Sequence, residues 1–260
     1  MYPPVGRASI DPVRFPILSD PALSEPSTLA SPLLALRQLS CERDERVLFS
    51  GLNLECRAGE IIQIFGPNGS GKTTLLRALA GVHPDYAGDI LWLGQPVARV
   101  KWEYAQDLAY IGHLPGIKKA LTPLENLRWY AAIGSSTTSL SSDEALQRFD
   151  LEGYEDTPCY QLSAGQLRRV ALARLYQTNA RLWILDEPFT ALDKAGISHL
   201  EQLLASHAAG GGLVILTSHQ DLTLSGLRRI NLLDFRGFLD DQGSKAFSSE
   251  DLDLEVPRAD

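Results

Sequence analysis

Apolar residues along this chain fall into short runs of strand length, separated by polar turns. Residues 60–65, 182–185 and 213–216 are nearly continuous in apolar side chains. Because a strand covered on both faces lacks polar alternation, these runs predict strands of a buried parallel core. Shorter apolar stretches predict further strands, over residues 33–39, 52–56, 90–93 and 229–234, the first two of them antiparallel.

A helical subdomain is predicted over residues 114–170. Within it, residues 134–142 are rich in serine and threonine and are interpreted as a flexible polar linker. Ser141 and Glu144 have the spacing of a capping box, which predicts that a helix begins there and covers residues 143–149. Helices combined with a parallel sheet indicate an α/β fold.

The two ends of the chain differ in composition from the rest. Residues 1–32 hold seven of the 15 prolines. Proline is excluded from helix interiors and central strands, so this stretch is interpreted as a disordered arm. Residues 239–260 carry seven acidic and two basic residues and are interpreted as an acidic, disordered tail. The predicted folded domain is therefore residues 33–238.

The overall composition is that of an ordinary globular protein, with 260 residues, 44% apolar and 22% charged residues and a formal net charge of −8. It excludes collagen-like and disulfide-scaffold proteins. The acidic balance argues against a broad nucleic-acid-binding surface, and we expect no nucleic-acid partner. No run approaches the roughly 18 apolar residues of a spanning helix, so no direct membrane insertion is expected. Three scattered cysteines are typical of a reducing compartment.

The strongest chemical signal is a glycine-rich turn between the run at 60–65 and a helical pattern at 75–80. It matches the phosphate-binding P-loop in full, as Gly66-Pro67-Asn68-Gly69-Ser70-Gly71-Lys72-Thr73-Thr74. Glycines let backbone N–H groups converge on phosphate oxygens, and the following helix presents its positive end to the same anion. Lys72 adds a charge for the β- and γ-phosphates, and the Thr73 hydroxyl suits Mg²⁺. The loop predicts ATP and Mg²⁺ as ligands.

Two acidic residues and a histidine follow two other predicted strands. Asp186 and Glu187 come directly after the run at 182–185, and His219 comes after the run at 213–216. Ligands bind beyond the carboxyl ends of strands in open α/β sheets, so these side chains are expected near the P-loop. Asp186 is predicted to hold Mg²⁺, Glu187 to polarise the attacking water, and His219 to reach the γ-phosphate. A surface or packing role is the alternative for the histidine.

Further motifs link the chain to a family. The sequence Leu162-Ser163-Ala164-Gly165-Gln166 resembles the signature motif of ATP-binding-cassette (ABC) ATPases, and the stretch ending at Asp193 resembles their D-loop. His219 resembles their switch histidine, and all motifs stand in the family order. The resemblance implies a P-loop NTPase fold, namely an ABC-type ATPase domain with an antiparallel β edge and a helical subdomain. It also implies a head-to-tail homodimer, in which the signature of one chain contacts ATP held by Lys72 of the other.

Two positions depart from the family pattern. By spacing, Arg43 stands where the family usually has an aromatic residue that stacks on adenine. A guanidinium also stacks on a base, whereas the alternative is a solvated charge in a turn. His113 stands where the family has the glutamine that links the γ-phosphate site to the helical subdomain, and histidine titrates near neutral pH whereas glutamine does not.

A narrower resemblance concerns the ATPase subunits of bacterial cytochrome c maturation systems. It rests on residues 41–52, 112–118, 124–127 and 182–191. It implies an ATPase (a translocase) that is docked on integral membrane subunits at the cytoplasmic face of the inner membrane and drives haem export or release of a haem-loaded chaperone. Residues 118–130 either face that membrane partner or form a solvated helix face. The alternatives are a soluble ABC ATPase, such as an iron–sulfur assembly or nucleic-acid-linked factor, and a nucleotide-binding regulator without turnover.

Overall fold

The computed structural model describes residues 31–43, 46–83, 85–134, 140–220 and 222–236. The predicted acidic tail lies outside these residues, and so does the predicted arm except for residues 31 and 32. Residues 135–139 of the predicted linker and the last two residues of the predicted domain, 237 and 238, also lie outside them. The elements in chain order are β1 (Leu34–Arg43), β2 (Arg46–Cys56), β3 (Ile61–Phe65), α1 (Lys72–Leu79), β4 (Ala87–Trp92), β5 (Gln95–Pro96), α2 (Lys101–Gln106), β6 (Leu108–Ile111), α3 (Pro123–Ile133), α4 (Ser142–Gln147), α5 (Ala164–Ala173), β7 (Leu182–Leu185), α6 (Lys194–Ala209), β8 (Leu213–Thr217) and β9 (Leu227–Asn231).

A five-stranded parallel sheet forms the centre of the fold, in the order β6-β7-β8-β3-β9. The three continuous apolar runs are its three inner strands, β7, β8 and β3. Their side chains alternate between two separate cores: Ile184 and Ile215 pack on one face, and Trp183 and Val214 pack on the other. Because both faces are covered, these strands are almost entirely apolar, with Gln63 in β3 and Thr217 in β8 as the polar residues. The sheet therefore presents the carboxyl ends of all its strands at one edge.

A second, antiparallel sheet has the order β2-β1-β4-β5. Strands β1 and β2 are longer than predicted, because the chain continues the pairing up to Arg43 opposite Arg46. The predicted strand at 229–234 is shifted: β9 ends at Asn231, whose side chain accepts a hydrogen bond from the Leu233 amide (3.1 Å) and starts a 3₁₀ turn.

The helical subdomain contains α3, α4 and α5, each of which begins with a capping box. The predicted box of Ser141 and Glu144 is present, with Ser141 Oγ accepting from the Glu144 amide at 3.2 Å. The helix covers Ser142–Gln147 and ends two residues before the predicted end, because the Phe149 amide turns back to the Leu146 carbonyl.

All three cysteines are buried free thiols. Cys56 lies in β2, where burial raises its pKa to about 12. Cys159 packs in the helical subdomain, where burial raises its pKa to about 11. These thiols pack as small apolar side chains.

Candidate functional site

The P-loop connects β3 to α1, and its shape depends on glycine. Gly66 and Gly71 have φ values of +149° and +94°, in the region that favours glycine. A Cβ on Gly66 would lie 2.9 Å from Ser70 Oγ, and one on Gly71 would lie 3.0 Å from Leu48 Cβ. Larger residues would therefore open the loop.

Lys72 is buried at the first position of α1. Its Nζ donates hydrogen bonds to the carbonyl oxygens of Gly66 (2.8 Å) and Pro67 (3.1 Å). The ammonium group thus lies inside the loop. Ser70 Oγ is also buried here and has no hydrogen-bond partner among the described residues. No acidic residue lies in the first turn of α1, so nothing there opposes an anion.

One cleft brings most of the predicted nucleotide-binding residues together. Its P-loop wall consists of Asn68, Gly69, Gly71, Lys72, Thr73 and Thr74. Arg43, His113, Glu187 and His219 line the same cleft. The two residues that were located by spacing alone, Arg43 and His113, therefore face the P-loop.

Asp186 lies at the end of β7 and is almost fully buried. Its Oδ1 accepts a hydrogen bond from Thr217 Oγ1 at 2.7 Å, whereas its Oδ2 is buried and has no hydrogen-bond partner among the described residues. An unpaired buried carboxylate oxygen is costly unless a cation or donor satisfies it. Mg²⁺ binds through one or two protein oxygens together with substrate phosphates, so Asp186 and the Thr73 hydroxyl fit it.

Glu187 follows with φ = +50°, a strained value for a residue with a side chain. Thr217 supports this backbone, since its Oγ1 accepts from the Glu187 amide at 2.9 Å. Glu187 Oε2 accepts from the His219 amide at 3.3 Å, and His219 Nε2 lies 3.4 Å from Glu187 Oε1. Glu187 Oε1 accepts no hydrogen bond within the part of the chain that the structure describes. This oxygen is buried beside the His219 ring, while the Glu187 side chain lines the cleft.

The signature residues lie elsewhere and do not line this cleft. Ser163 is the N-cap of α5, with its Oγ accepting from the Gln166 amide at 3.3 Å. A Cβ on Gly165 would lie 2.7 Å from the Ala191 carbonyl oxygen, so glycine permits the D-loop to approach the signature. Ser163 and Ala164 remain exposed. Within one chain the signature residues therefore stay apart from the P-loop cleft.

Asp193, the D-loop residue, is the N-cap of α6. Its Oδ1 accepts from the Gly196 amide at 2.8 Å, and both of its oxygens accept from Arg169 Nη2 of α5. The Gly196 amide, with Arg169 as a further cause, holds the pKa of Asp193 below its ordinary value. This residue therefore fixes the D-loop to the signature helix.

Sequence reasoning missed two residues of the site, Thr217 and Arg168. Thr217 is the only hydroxyl residue of an otherwise apolar strand, which is the signal that could have identified it. Arg168 is a buried arginine on the signature helix, and its charge in an otherwise apolar helical face is the corresponding signal.

Comparison with known proteins identifies the family to which this chain belongs. The family model described as ABC transporter matches residues 49–190, more than half of the chain. The chain belongs to the ABC transporter ATPase family. An ABC-type ATPase binds and hydrolyses ATP, and the predicted family and fold are confirmed.

Individual relatives narrow the comparison. A cytochrome c biogenesis ATP-binding export protein (CcmA) from Escherichia coli O6:H1 is 56% identical over 202 residues, which cover 77% of this chain and 96% of that protein. The protein of the same name from Escherichia coli K12 is 55% identical over 206 residues, covering 78% and 98%. The solved structure of the ATP-binding cassette MJ0796, a dimer in a post-hydrolysis state bound to ADP and Pi, is 24% identical. It covers 72% of this chain and 88% of that one with a TM-score of 0.63, and it shows the fold.

In the part of the chain that the structure describes, none of this ABC ATPase's helices has the length and apolarity needed to cross a bilayer.

Proposed function

We propose that this chain is the ATP-hydrolysing subunit of a transporter complex that serves cytochrome c maturation, by haem export or by release of a haem-loaded chaperone. The observation that carries the proposal is the identity of more than half of all aligned positions with the E. coli export proteins over nearly their whole length. Its reaction class is ATP hydrolysis coupled to transport, that of a translocase.

The geometry of the cleft supports the chemistry that we assign to its residues. Lys72 and the P-loop amides hold the β- and γ-phosphates of ATP in the cleft. Thr73 and Asp186 hold Mg²⁺, which when bound neutralises developing charge on the phosphates. Glu187, which lines the cleft, orients and polarises the attacking water, and His219, whose Nε2 lies 3.4 Å from Glu187 Oε1, contacts the γ-phosphate.

A homodimer completes the site. Ser163 and the exposed start of α5 offer amide donors and a helix N-terminus. These groups do not line the P-loop cleft of their own chain. In a head-to-tail dimer these groups contact ATP held by the partner chain. The dimeric state of the ATP-binding cassette MJ0796, bound to ADP and Pi, supports this arrangement.

Membrane subunits are the proposed partners, at the cytoplasmic face of the inner membrane. The helical subdomain exposes large apolar side chains that its own core does not use: Leu114 is 82% exposed and Ile133 is 62% exposed. Trp129 lies on the same helix as Ile133, with Lys118 Nζ 4.0 Å from its ring centre. A contiguous exposed apolar patch is typical of a protein–protein contact, and these side chains are proposed to form part of one.

The test is isolation of the chain from its native membranes in mild detergent. We expect integral membrane subunits to co-purify and the complex to hydrolyse ATP. Replacing Lys72 with Ala should leave the complex assembled but without turnover and should abolish cytochrome c maturation in cells. Isolation of the chain without membrane subunits would instead support a soluble ABC ATPase, and maturation retained by the Lys72 variant would show that hydrolysis is not required.

A further inference from the structure

Arg168 lies on α5, two residues after the last signature residue. Its side chain is 4% exposed, and its guanidinium donates two hydrogen bonds to consecutive backbone carbonyls. Nη1 bonds to the Gly112 oxygen at 3.1 Å, and Nη2 bonds to the His113 oxygen at 3.2 Å. The planar fork of arginine suits two such neighbouring acceptors.

These two bonds continue the pairing at the end of β6. The Ile111 carbonyl accepts from the Asp186 amide at 2.8 Å, and Arg168 satisfies the next two carbonyls along the chain. The segment after β6 is therefore held by the strand that carries the acidic pair and, directly afterwards, by the signature helix. The His113 side chain, which lines the nucleotide cleft, is positioned by this attachment.

The charge of Arg168 is not explained by packing. Among the described residues, no carboxylate lies within ion-pair distance of its guanidinium. Burial lowers the pKa of Arg168, whereas the charges of Asp186 and Glu187 favour its cationic form. A buried cation without a paired anion costs stability, and an apolar side chain of similar length would fill the space at lower cost. The two backbone hydrogen bonds are therefore the contacts that account for a charged fork at this position.

We propose that Arg168 is a positioning residue that couples the two nucleotide sites of the dimer. This inference rests on the proposed function, in which Ser163 contacts the partner's ATP while His113 faces the chain's own ATP. Ser163 and Arg168 belong to one short rigid helix, so a shift of the signature on nucleotide binding is carried to the Gly112 and His113 backbone. ATP bound at one nucleotide site of the dimer thereby changes the geometry of the other nucleotide site.

The first experiment measures ATP turnover of the complex, purified with its membrane subunits, as a function of ATP concentration. Arg168→Lys keeps the charge but loses the fork, and Arg168→Met removes both. We expect the wild type to show a sigmoidal dependence on ATP, and both variants to lose it and to fall in kcat by about tenfold. ATP binding to the dilute single chain should change less than about twofold, because Arg168 does not touch the P-loop. The control is Arg99→Gln, because Arg99 is exposed and precedes Arg168 by 69 residues in the chain. This variant should behave as wild type.

The second experiment follows hydrogen exchange in full-length chains that carry Glu187→Gln, which retain ATP. Binding of ATP should protect residues 112–116 together with residues 162–167. With Arg168→Lys added, protection of 162–167 should remain and protection of 112–116 should fall. This readout carries the test if Arg168→Met fails to fold.

The outcomes separate the two proposals. A wild-type complex without sigmoidal ATP dependence and without ATP-driven dimerisation would overturn the two-site mechanism and the coupling with it. A sigmoidal wild type whose Arg168 variants keep both the sigmoidal dependence and the joint protection would overturn the role of Arg168 alone.

Discussion

Thr217 connects the two acidic residues of the site, and its removal tests how they are held. The residue is fully buried; its Oγ1 donates to Asp186 Oδ1 at 2.7 Å and accepts from the Glu187 amide at 2.9 Å. Valine has nearly the same shape, so Thr217→Val deletes these two hydrogen bonds without opening a cavity. It leaves a buried carboxylate and a partly buried N–H group without these partners.

The expected cost follows from those two groups. An unsatisfied buried donor or acceptor costs about 1–3 kcal/mol, and more for a charged group. Since Asp186 Oδ2 already has no partner among the described residues, the loss of the Oδ1 bond leaves the whole carboxylate unpaired there. We expect Thr217→Val to lower the free energy of unfolding by about 2–4 kcal/mol. The strained backbone of Glu187 also loses its anchor, so kcat should fall on the order of 10- to 100-fold.

The matched control is Thr217→Ser, which keeps the hydroxyl and loses one methyl group, worth about 1 kcal/mol. Both variants would be unfolded with urea in EDTA without nucleotide, so that ligand binding does not mask the difference. Turnover would then be measured with saturating ATP and Mg²⁺. If Thr217→Val unfolds no more readily than Thr217→Ser, the hydroxyl bridge does not stabilise the acidic pair and the reasoning is wrong.

Three further changes test other parts of the molecule. Glu187→Gln should retain ATP binding, slow hydrolysis by about 10²- to 10⁴-fold and accumulate an ATP-bound dimer on size-exclusion chromatography, whereas a monomer with normal turnover would refute the assigned role. Gly165→Ala should destabilise the chain by about 1–3 kcal/mol and reduce turnover, because the new Cβ would lie 2.7 Å from the Ala191 carbonyl oxygen. Gly210→Ala, whose Cβ would approach no closer than 3.4 Å, is its control, and equal effects in thermal unfolding would count against the close approach. The His207 ring stacks on Trp183 with 3.7 Å between ring centres, and burial lowers the pKa of His207. The folded state therefore favours the neutral ring. The resulting stability is present above the ordinary histidine pKa and is lost as the pH falls below it. His207→Phe should therefore flatten the dependence of Tm on pH between about 7.5 and 5, and an unchanged slope would assign that dependence to other groups.

The sequence was most informative where a local pattern determines the structure. Glycines at fixed spacing define the P-loop conformation, and continuous apolar runs define strands that are covered on both faces. Strand β6 was missed, because its four residues carry too short a pattern to separate strand from helix. Its place at the edge of the sheet comes from pairing with β7, about 70 residues away in the chain.

Some residues of the candidate site could likewise be predicted from local motifs, and others could not. Lys72, Asp186 and Glu187 follow directly from motifs, and the structure places Lys72 and Glu187 in the cleft with the acid Asp186 buried beside it. Thr217 and Arg168 act through contacts across more than 30 residues of chain, with atoms whose positions depend on the packed fold. No local pattern encodes such a contact, so these residues became visible only in three dimensions.

The buried thiols offer a way to measure local unfolding in two regions of the fold separately. Cys56 belongs to the antiparallel sheet and Cys159 to the helical subdomain, and with pKa values of about 12 and about 11 both are almost entirely protonated at neutral pH. Because the thiolate is the reacting species, an alkylating reagent modifies each cysteine only when its surroundings open. Peptide mapping after timed alkylation would thus record, without any introduced label, how often each region opens and whether ATP slows one region before the other.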